Sequence, residues 1–126
     1  MLLLGRQDLV KKESELVRQS KMIPLLMCEA GTSALEKSND IDCAGYWICM
    51  NEDFGFPNID KLITYLKDVC KPVTAYKAFT RSDGFNVQKT LNFFKNIPAV
   101  QSLVVGIENP AQAKETFSQI VHIDNH

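Results

Sequence analysis

The stretch from Pro98 to Val121 constrains the fold most, because it combines the patterns of a strand, a turn and a capped helix without interruption. Residues Val100 to Ile107 are mostly apolar and rich in β-branched side chains, which predicts a strand covered on both faces, as in a parallel sheet. Gly106 permits a close or unusual backbone turn. Asn109 is a good N-cap, and Pro110 follows at the first helical position, where its missing N–H does no harm. The stretch therefore predicts a βα unit.

The same alternation of strand and helix patterns recurs upstream. The predicted last helix carries an apolar stripe at helical spacing, made of Ala113, Phe117, Ile120 and Val121. Three further apolar runs resemble strands, at residues 22–28, 41–50 and 73–79. Helical patterns occupy residues 8–21, 33–37, 59–69 and 87–94, the last two preceded by capping Asn58 and Asn86. Strands that alternate with helices predict one α/β domain over residues 1–126, with a parallel sheet and right-handed crossovers.

Two segments carry a resemblance to a known family. The residues from Val104 to Gln112, VVGIENPAQ, resemble the last strand, phosphate-side loop and last helix of the aldo/keto reductases. The residues from Lys71 to Phe79, KPVTAYKAF, are similar to the seventh strand of aldo/keto-reductase-like barrels. The resemblance implies a (β/α)8 fold, an oxidoreductase lineage, and a nicotinamide cofactor lying across the C-terminal face of the barrel.

The length fits only part of such a barrel. The chain has 126 residues, whereas a (β/α)8 barrel typically has about 250. By the resemblance, the opening helix and four βα units correspond to the second half of the barrel. A half barrel exposes two strand edges and lacks its other wall. Three arrangements stay open: a fragment of a longer polypeptide, association with a second copy or another chain, or a small open doubly wound sheet like that of flavodoxin.

The last loop is the candidate cofactor site. A glycine before a helix N-terminus leaves backbone N–H groups and the positive end of the helix dipole available to an anion. By resemblance, four residues would lie against the adenosine phosphate side of NADP or NAD: Gly106, Ile107, Asn109 and Gln112. Glu108 stands where the family usually has a small neutral residue, and its carboxylate repels a 2′-phosphate. Arg81 and Lys114 are nearby cations that offer compensation, although solvated surface charges are the simpler interpretation.

Lys77 is the one weak catalytic candidate. The sequence places it inside an apolar strand, with Ala75 and Phe79 on its own face, where a lysine is unfavourable unless it is paired or deprotonated. Such a lysine pairs with a strand-end carboxylate such as Glu29, anchors a phosphate, or acts as a Schiff-base amine. A structural ion pair is the simplest of these. Tyr46 and Cys49 offer a phenol and a thiol on the second strand, but with no visible partner they are better explained as core residues.

Composition excludes several classes of function. A formal charge of -1 gives no basic surface for nucleic acid or an anionic membrane. The four cysteines lack C-x-x-C spacing and favour reduced thiols in a cytoplasmic protein over a disulfide or metal framework. No stretch approaches the roughly 20 apolar residues of a membrane span. The two histidines, His122 and His126, lie near the C-terminal end, away from every predicted strand-end loop, and no metal site is predicted.

The family's catalytic Asp, Tyr, Lys and His come from the half of the barrel to which nothing here corresponds. The sequence therefore predicts an aldo/keto-reductase-related fragment or subunit that carries the nicotinamide-nucleotide side without the catalytic group. Association as a homodimer, or with a missing half, accompanies this hypothesis. Two alternatives remain: a non-catalytic α/β module that binds itself or a partner, and, more weakly, a Schiff-base lyase that uses Lys77.

Overall fold

A computed structural model describes residues 4–79 and 86–123. Helices and strands alternate along the chain in this order: α1 (Gln7–Gln19), β1 (Leu25–Cys28), α2 (Gly31–Glu36), β2 (Gly45–Cys49), α3 (Ile59–Leu66), β3 (Val73–Tyr76), α4 (Val87–Lys95), β4 (Val100–Leu103) and α5 (Pro110–Ile123). The predicted alternation of βα units is confirmed.

The four strands form one parallel sheet in the order β1-β2-β3-β4. Each strand therefore pairs with the next one along the chain, and the strand order never reverses. The described sheet is thus a small open parallel sheet, as one alternative predicted, but it is not doubly wound, because a doubly wound sheet such as that of flavodoxin requires such a reversal. Right-handed crossovers that always step in one direction place the connecting helices on one face of the sheet.

One face of the sheet is buried against the helices. Side chains alternate between the two faces of a strand, and one alternating set joins a single hydrophobic core with residues of α2, α3 and α4. The strand residues of this core are Cys28, Tyr46, Ile48, Val73 and Ala75. Leu62 and Leu66 of α3 are fully buried in the same core. The helices thus cover the sheet from one side.

The other face is incompletely covered, and we call it the open face. It carries the remaining strand side chains, which include Leu25, Met27, Trp47, Thr74 and Ser102. Leu25 is 53% exposed and Met27 is 55% exposed. The Thr74 and Ser102 hydroxyls lie 2.6 Å apart across β3 and β4. Apolar side chains exposed on a strand of a parallel sheet, as on β1 here, are unusual, since parallel sheets normally have both faces covered.

Local sequence signals account for the helices. Asn58 begins α3, because its side-chain oxygen accepts a 3.0 Å hydrogen bond from the Lys61 N–H. Asn86 does the same for α4 with the Lys89 N–H, also at 3.0 Å. Both predicted caps are confirmed. Helix α1 is held at its Ser14 hydroxyl, which donates to the Asp42 carbonyl.

The last βα unit differs from its sequence prediction. β4 ends at Leu103, and its residues are intermediate or exposed, so the prediction of a strand buried on both faces is wrong. The physical reason is position, because β4 is an edge strand beside the open face. In α5, Phe117 is 52% exposed while Thr116 is buried, which contradicts the predicted inward placement of Phe117. The helix therefore turns its largest apolar residue away from the chain's own core.

Candidate functional site

The carboxyl ends of all four strands meet at one edge of the sheet, because the strands are parallel. Ligands of parallel α/β proteins bind at this edge. The first two loops there are held together at Gly31, whose φ is +50°. A Cβ on Gly31 would lie 2.2 Å from the Phe56 carbonyl oxygen, and the neighbouring Thr32 N–H donates to the same oxygen at 3.2 Å. Only glycine fits this approach.

Asn51 connects the second and third loops. Its side-chain amide donates a 3.0 Å hydrogen bond to the Lys77 carbonyl, and its side-chain oxygen accepts from the Asp53 N–H at 3.0 Å. Its backbone also pairs with Phe54 in an isolated bridge. One side chain thus fixes the backbone at the ends of both β2 and β3. The first three strand-end loops are therefore mutually positioned.

Lys77 lies at this edge rather than inside a strand. β3 ends at Tyr76, and Lys77 follows it in the left-handed conformation with φ +54°. Its side chain is 68% exposed, so the prediction of a lysine embedded in an apolar strand is wrong. The predicted pairing with Glu29 is confirmed, since the Lys77 Nζ lies 3.9 Å from Glu29 Oε1. Two exposed side chains at this distance form a weak, solvent-screened ion pair.

Tyr76 places a buried phenol next to this ion pair. The residue is 7% exposed, and its hydroxyl has no hydrogen-bond partner among the described residues. Burial is the largest cause that raises the pKa of Tyr76 above its usual range, and Cys49 and Glu29 act in the same direction. The Lys77 ammonium lies 6.0 Å from the ring centroid. Buried polar groups in native proteins almost always have a hydrogen-bond partner, so the unpaired hydroxyl of Tyr76 in the described chain requires an explanation.

Cys49 ends β2 on the same face as Tyr76. Burial raises the pKa of the Cys49 thiol, an effect that the Lys77 ammonium partly opposes. A protonated thiol is a poor nucleophile, so the geometry does not favour Cys49 as a catalytic thiolate. Tyr46, the other candidate on β2, is a buried core residue whose hydroxyl accepts a 3.2 Å hydrogen bond from Ser38 Oγ.

We call Glu29, Cys49, Tyr76 and Lys77 the strand-end cluster. It combines a neutral phenol and a neutral thiol with an exposed ion pair at the ends of three neighbouring strands. Such groups can hold an oxygen-bearing ligand by hydrogen bonds and by charge. The Lys77 amine is solvated and faces a carboxylate, so it lacks the desolvation that activates a Schiff-base lysine.

The loop after β4 brings the resemblance-derived residues to the same edge of the sheet. Gly106, Ile107 and Asn109 are exposed, and α5 begins at Pro110 as predicted. Asn109 caps the helix, because its side-chain oxygen accepts from the Gln112 N–H at 2.9 Å. The Gln112 side-chain oxygen in turn accepts from the Glu108 N–H at 2.8 Å. Two of the N–H groups near this helix end are therefore already satisfied within the loop.

Gly106 itself has an ordinary conformation. It is absent from the positive-φ residues of the described chain, and a Cβ at this position would meet nothing within 4 Å. The prediction of a close or unusual turn at Gly106 is therefore wrong, and the glycine leaves open space beside the helix end. Lys114 is exposed on α5, whereas Arg81 lies outside the described residues. Glu108 is exposed in the same loop.

Several other expectations concern cysteines, metals and membranes. All four cysteines are free, with Cys28, Cys43 and Cys49 buried and Cys70 exposed. Within residues 4–79 and 86–123, no three His, Cys, Asp or Glu side chains are grouped to hold a metal. His122 falls in α5, and His126 lies outside the described residues. Across those same ranges, no helix has the length and apolar character needed to cross a membrane.

Comparison with family models, with curated proteins and with solved structures returns no match for this chain. The class that the structure defines is therefore the coarse one: an α/β chain whose four parallel strands alternate with helices.

Sequence reasoning missed two residues of the site. Tyr76 occupies the last position of β3, where the alternation of VTAY already puts it on the face opposite Ala75. Asn51 directly follows the second apolar run, at a position from which a polar side chain can hold a neighbouring loop. Position at a strand's carboxyl end was the available signal for both.

Proposed function

We propose that the chain is the C-terminal half of an aldo/keto-reductase-like (β/α)8 barrel and supplies the nicotinamide-nucleotide side of an oxidoreductase site. The observation that carries this proposal is the sheet itself: four parallel strands in chain order, with the core helices packed on one face and apolar side chains left on the other. In a (β/α)8 barrel the helices form an outer ring, and the opposite face of every strand fills the barrel interior. The open face corresponds to that interior.

The loop before α5 supports an anionic ligand at the nucleotide side. α5 is 14 residues long, and its first turn is exposed at the carboxyl edge of the sheet. The positive end of its dipole and the open space beside Gly106 suit a phosphate-bearing group. Asn109 and Gln112 would position the loop through their capping hydrogen bonds. A bound nicotinamide would supply the hydride for reduction of a carbonyl.

The strand-end cluster suits the reacting end of such a ligand. Tyr76 offers a neutral hydroxyl that has no hydrogen-bond partner among the described residues, and Lys77 offers a positive charge at the same edge. Both would bind and orient an oxygen-bearing substrate. The catalytic proton donor of the family belongs to the other half of the barrel, so this chain alone is not expected to reduce carbonyls.

The charge of Glu108 favours NADH over NADPH. Its exposed carboxylate lies in the loop that would face the adenosine end of the nucleotide, where a 2′-phosphate would be repelled. The test is a calorimetric titration of the folded protein with NADH and NADPH, using Glu108→Ser and the matched control Glu115→Ser on an exposed position of α5.

We expect the unmodified protein to bind NADH more tightly than NADPH. Glu108→Ser should narrow that difference several-fold by improving NADPH binding, while Glu115→Ser should leave the ratio unchanged. Absence of heat at millimolar concentrations of both nucleotides, from a protein whose circular dichroism shows it to be folded, would reject the proposal.

A further inference from the structure

An apolar groove follows the outer edge of β1. Its volume is about 600 Å³, and it lies between α1 and the edge strand. We call it the edge groove; its apolar lining includes Val10, Val17, Ile23, Leu25, Leu26 and Met27. β1 pairs only with β2 in the described sheet, so its other edge presents unpaired backbone groups to this groove. The groove therefore combines apolar walls with a strand edge.

Exposed apolar side chains mark both edges of the sheet. In the described chain, the large hydrophobic residues that are exposed fall into three places: Leu4, Leu16, Met22, Ile23, Leu25 and Met27 around α1 and β1; Ile107 and Phe117 around α5; and Phe54 and Phe56 in the loop after β2. The central strands contribute none. Apolar exposure of this kind marks an interaction surface, and two of these three places lie at opposite edges of the sheet.

The two edges match one another in direction and length. β1 and β4 run parallel and have four residues each, which corresponds to about 13 Å. Two copies of the chain, related by a two-fold axis along the strand direction, would place β4 of each copy beside β1 of the other. Both new pairings would be parallel. The result has eight strands, the number at which side chains just fill the interior of a closed barrel.

We propose that a second copy of this chain closes the barrel, with β4 of each copy inserted in the edge groove of the other. Each insertion would satisfy the free backbone edge of β1 and complete the burial of Val100 and Leu103, which are only partly covered by the chain's own core. Phe117 of α5 would lie near Leu16 of the neighbouring α1, which gives both exposed residues an apolar partner. The inference rests on the half-barrel architecture of the proposed function and not on the nucleotide.

A charge placed in the edge groove tests the assembly. Met27→Lys introduces a charge on the open face at the β1 edge, and Phe54→Lys places the same charge at a comparably exposed apolar residue, 47% against 55%, in the loop after β2. Light scattering of the unmodified protein at micromolar concentrations should give twice the mass of 14.2 kDa. Met27→Lys should raise the dimer dissociation constant at least 100-fold, whereas Phe54→Lys should leave it within three-fold.

Engineered disulfides test which edges meet. Neighbouring strands lie about 4.8 Å apart, within the Cα separation that a disulfide spans. In a Cys70→Ser background, which removes the exposed thiol, Ser102→Cys is combined with Met27→Cys or with Leu25→Cys, since both lie on the open face at adjacent registers. At least one pair should give a covalent dimer on a non-reducing gel, and the single substitutions should not form the doubly bridged dimer.

The outcomes separate this inference from the nucleotide site. A folded monomer at all concentrations would overturn it, as would a dimer that survives Met27→Lys and that neither cysteine pair can cross-link. Nucleotide binding by such a monomer would leave the proposed function standing. A dimer closed through β1 and β4 that binds neither NADH nor NADPH would support the inference and reject the nucleotide proposal.

Discussion

The central strands and the edge strands of this sheet differ in how far their side chains are buried, although the same kind of crossover connects them. In β2, Ile48 is fully buried and all five residues are buried or partly so. In β1, Leu25 and Met27 are more than half exposed, and β4 has no buried residue. The contrast shows that the core of this chain is fully buried at the centre of the sheet and only partly covered at its two edges.

Truncation of one residue in each region gives the largest expected difference. Ile48→Ala removes a fully buried side chain from the centre of the core, and we expect it to lower the free energy of unfolding by about 3–4 kcal/mol. Met27→Ala at the open edge should cost less than about 1 kcal/mol in dilute protein. Urea denaturation measures both. Equal losses in dilute protein would mean that the edge is already covered.

The two strand-end glycines provide the next comparison. Gly31 has φ +50° and faces the Phe56 carbonyl oxygen, so Gly31→Ala should lower the unfolding free energy by at least about 2 kcal/mol through backbone strain and steric clash. Gly106 has neither constraint. Gly106→Ala should therefore be neutral or stabilise by about 0.4–1 kcal/mol. A large loss at Gly106 would show that the last loop is more tightly constrained than its surroundings indicate.

The same division explains what the sequence could predict. Local signals sufficed for the helix caps at Asn58 and Asn86 and for the parallel sheet, because capping and periodicity depend on residues close in the chain. The exposure of β4 was not predictable in this way, because an apolar run does not reveal whether a strand lies at the centre or at the edge. The prediction that Lys77 lies inside a strand was wrong for a related reason. The apolar pattern extended the predicted strand to Phe79, three residues beyond its end at Tyr76, although the backbone turns to φ +54° at Lys77.

The strand-end cluster was predictable only in part. The pairing of Lys77 with Glu29 followed from topology, since both residues come directly after parallel strands. The buried hydroxyl of Tyr76 depends on which loops fold over it, and those contacts join residues far apart in sequence. The first loop, for example, is held against the second by the approach of Gly31 to Phe56.

The stability of the protein at alkaline pH tests whether Cys28, on the edge strand β1, is buried. Burial is the main reason that the pKa of the Cys28 thiol rises to about 12, whereas an unfolded thiol has a pKa of about 8.5. The folded state therefore keeps a proton that the unfolded state loses. The contribution of this thiol to the free energy of unfolding is therefore fully present below about pH 8.5. As the pH rises from there towards the pKa of the folded state, the free energy of unfolding falls by about 1.4 kcal/mol per pH unit.

The measurement is the free energy of unfolding in urea between pH 8 and pH 10.5. Cys28→Ala lowers stability at pH 8 because it removes a buried side chain, yet its stability should fall less steeply with pH than that of the unmodified protein. The control is Cys70→Ala at an exposed position, which should keep the original slope. Identical slopes for Cys28→Ala and the unmodified protein would contradict the burial of this thiol.

The helix caps give the smallest and most local contrast. Asn58 caps α3, whose residues lie in the central core, and Asn109 caps α5, which packs against α4 at the edge. Each substitution by alanine should cost about 1 kcal/mol. For Asn58→Ala we expect the loss in global unfolding, because α3 unfolds only with the core. For Asn109→Ala we expect faster amide hydrogen exchange confined to α5, with the urea midpoint nearly unchanged.

If a second copy closes the barrel, raising the protein concentration should slow that exchange again, because the closed assembly would hold α5 against the neighbouring α1. If the exchange rate in α5 does not depend on protein concentration, no second copy covers this edge of the sheet in solution.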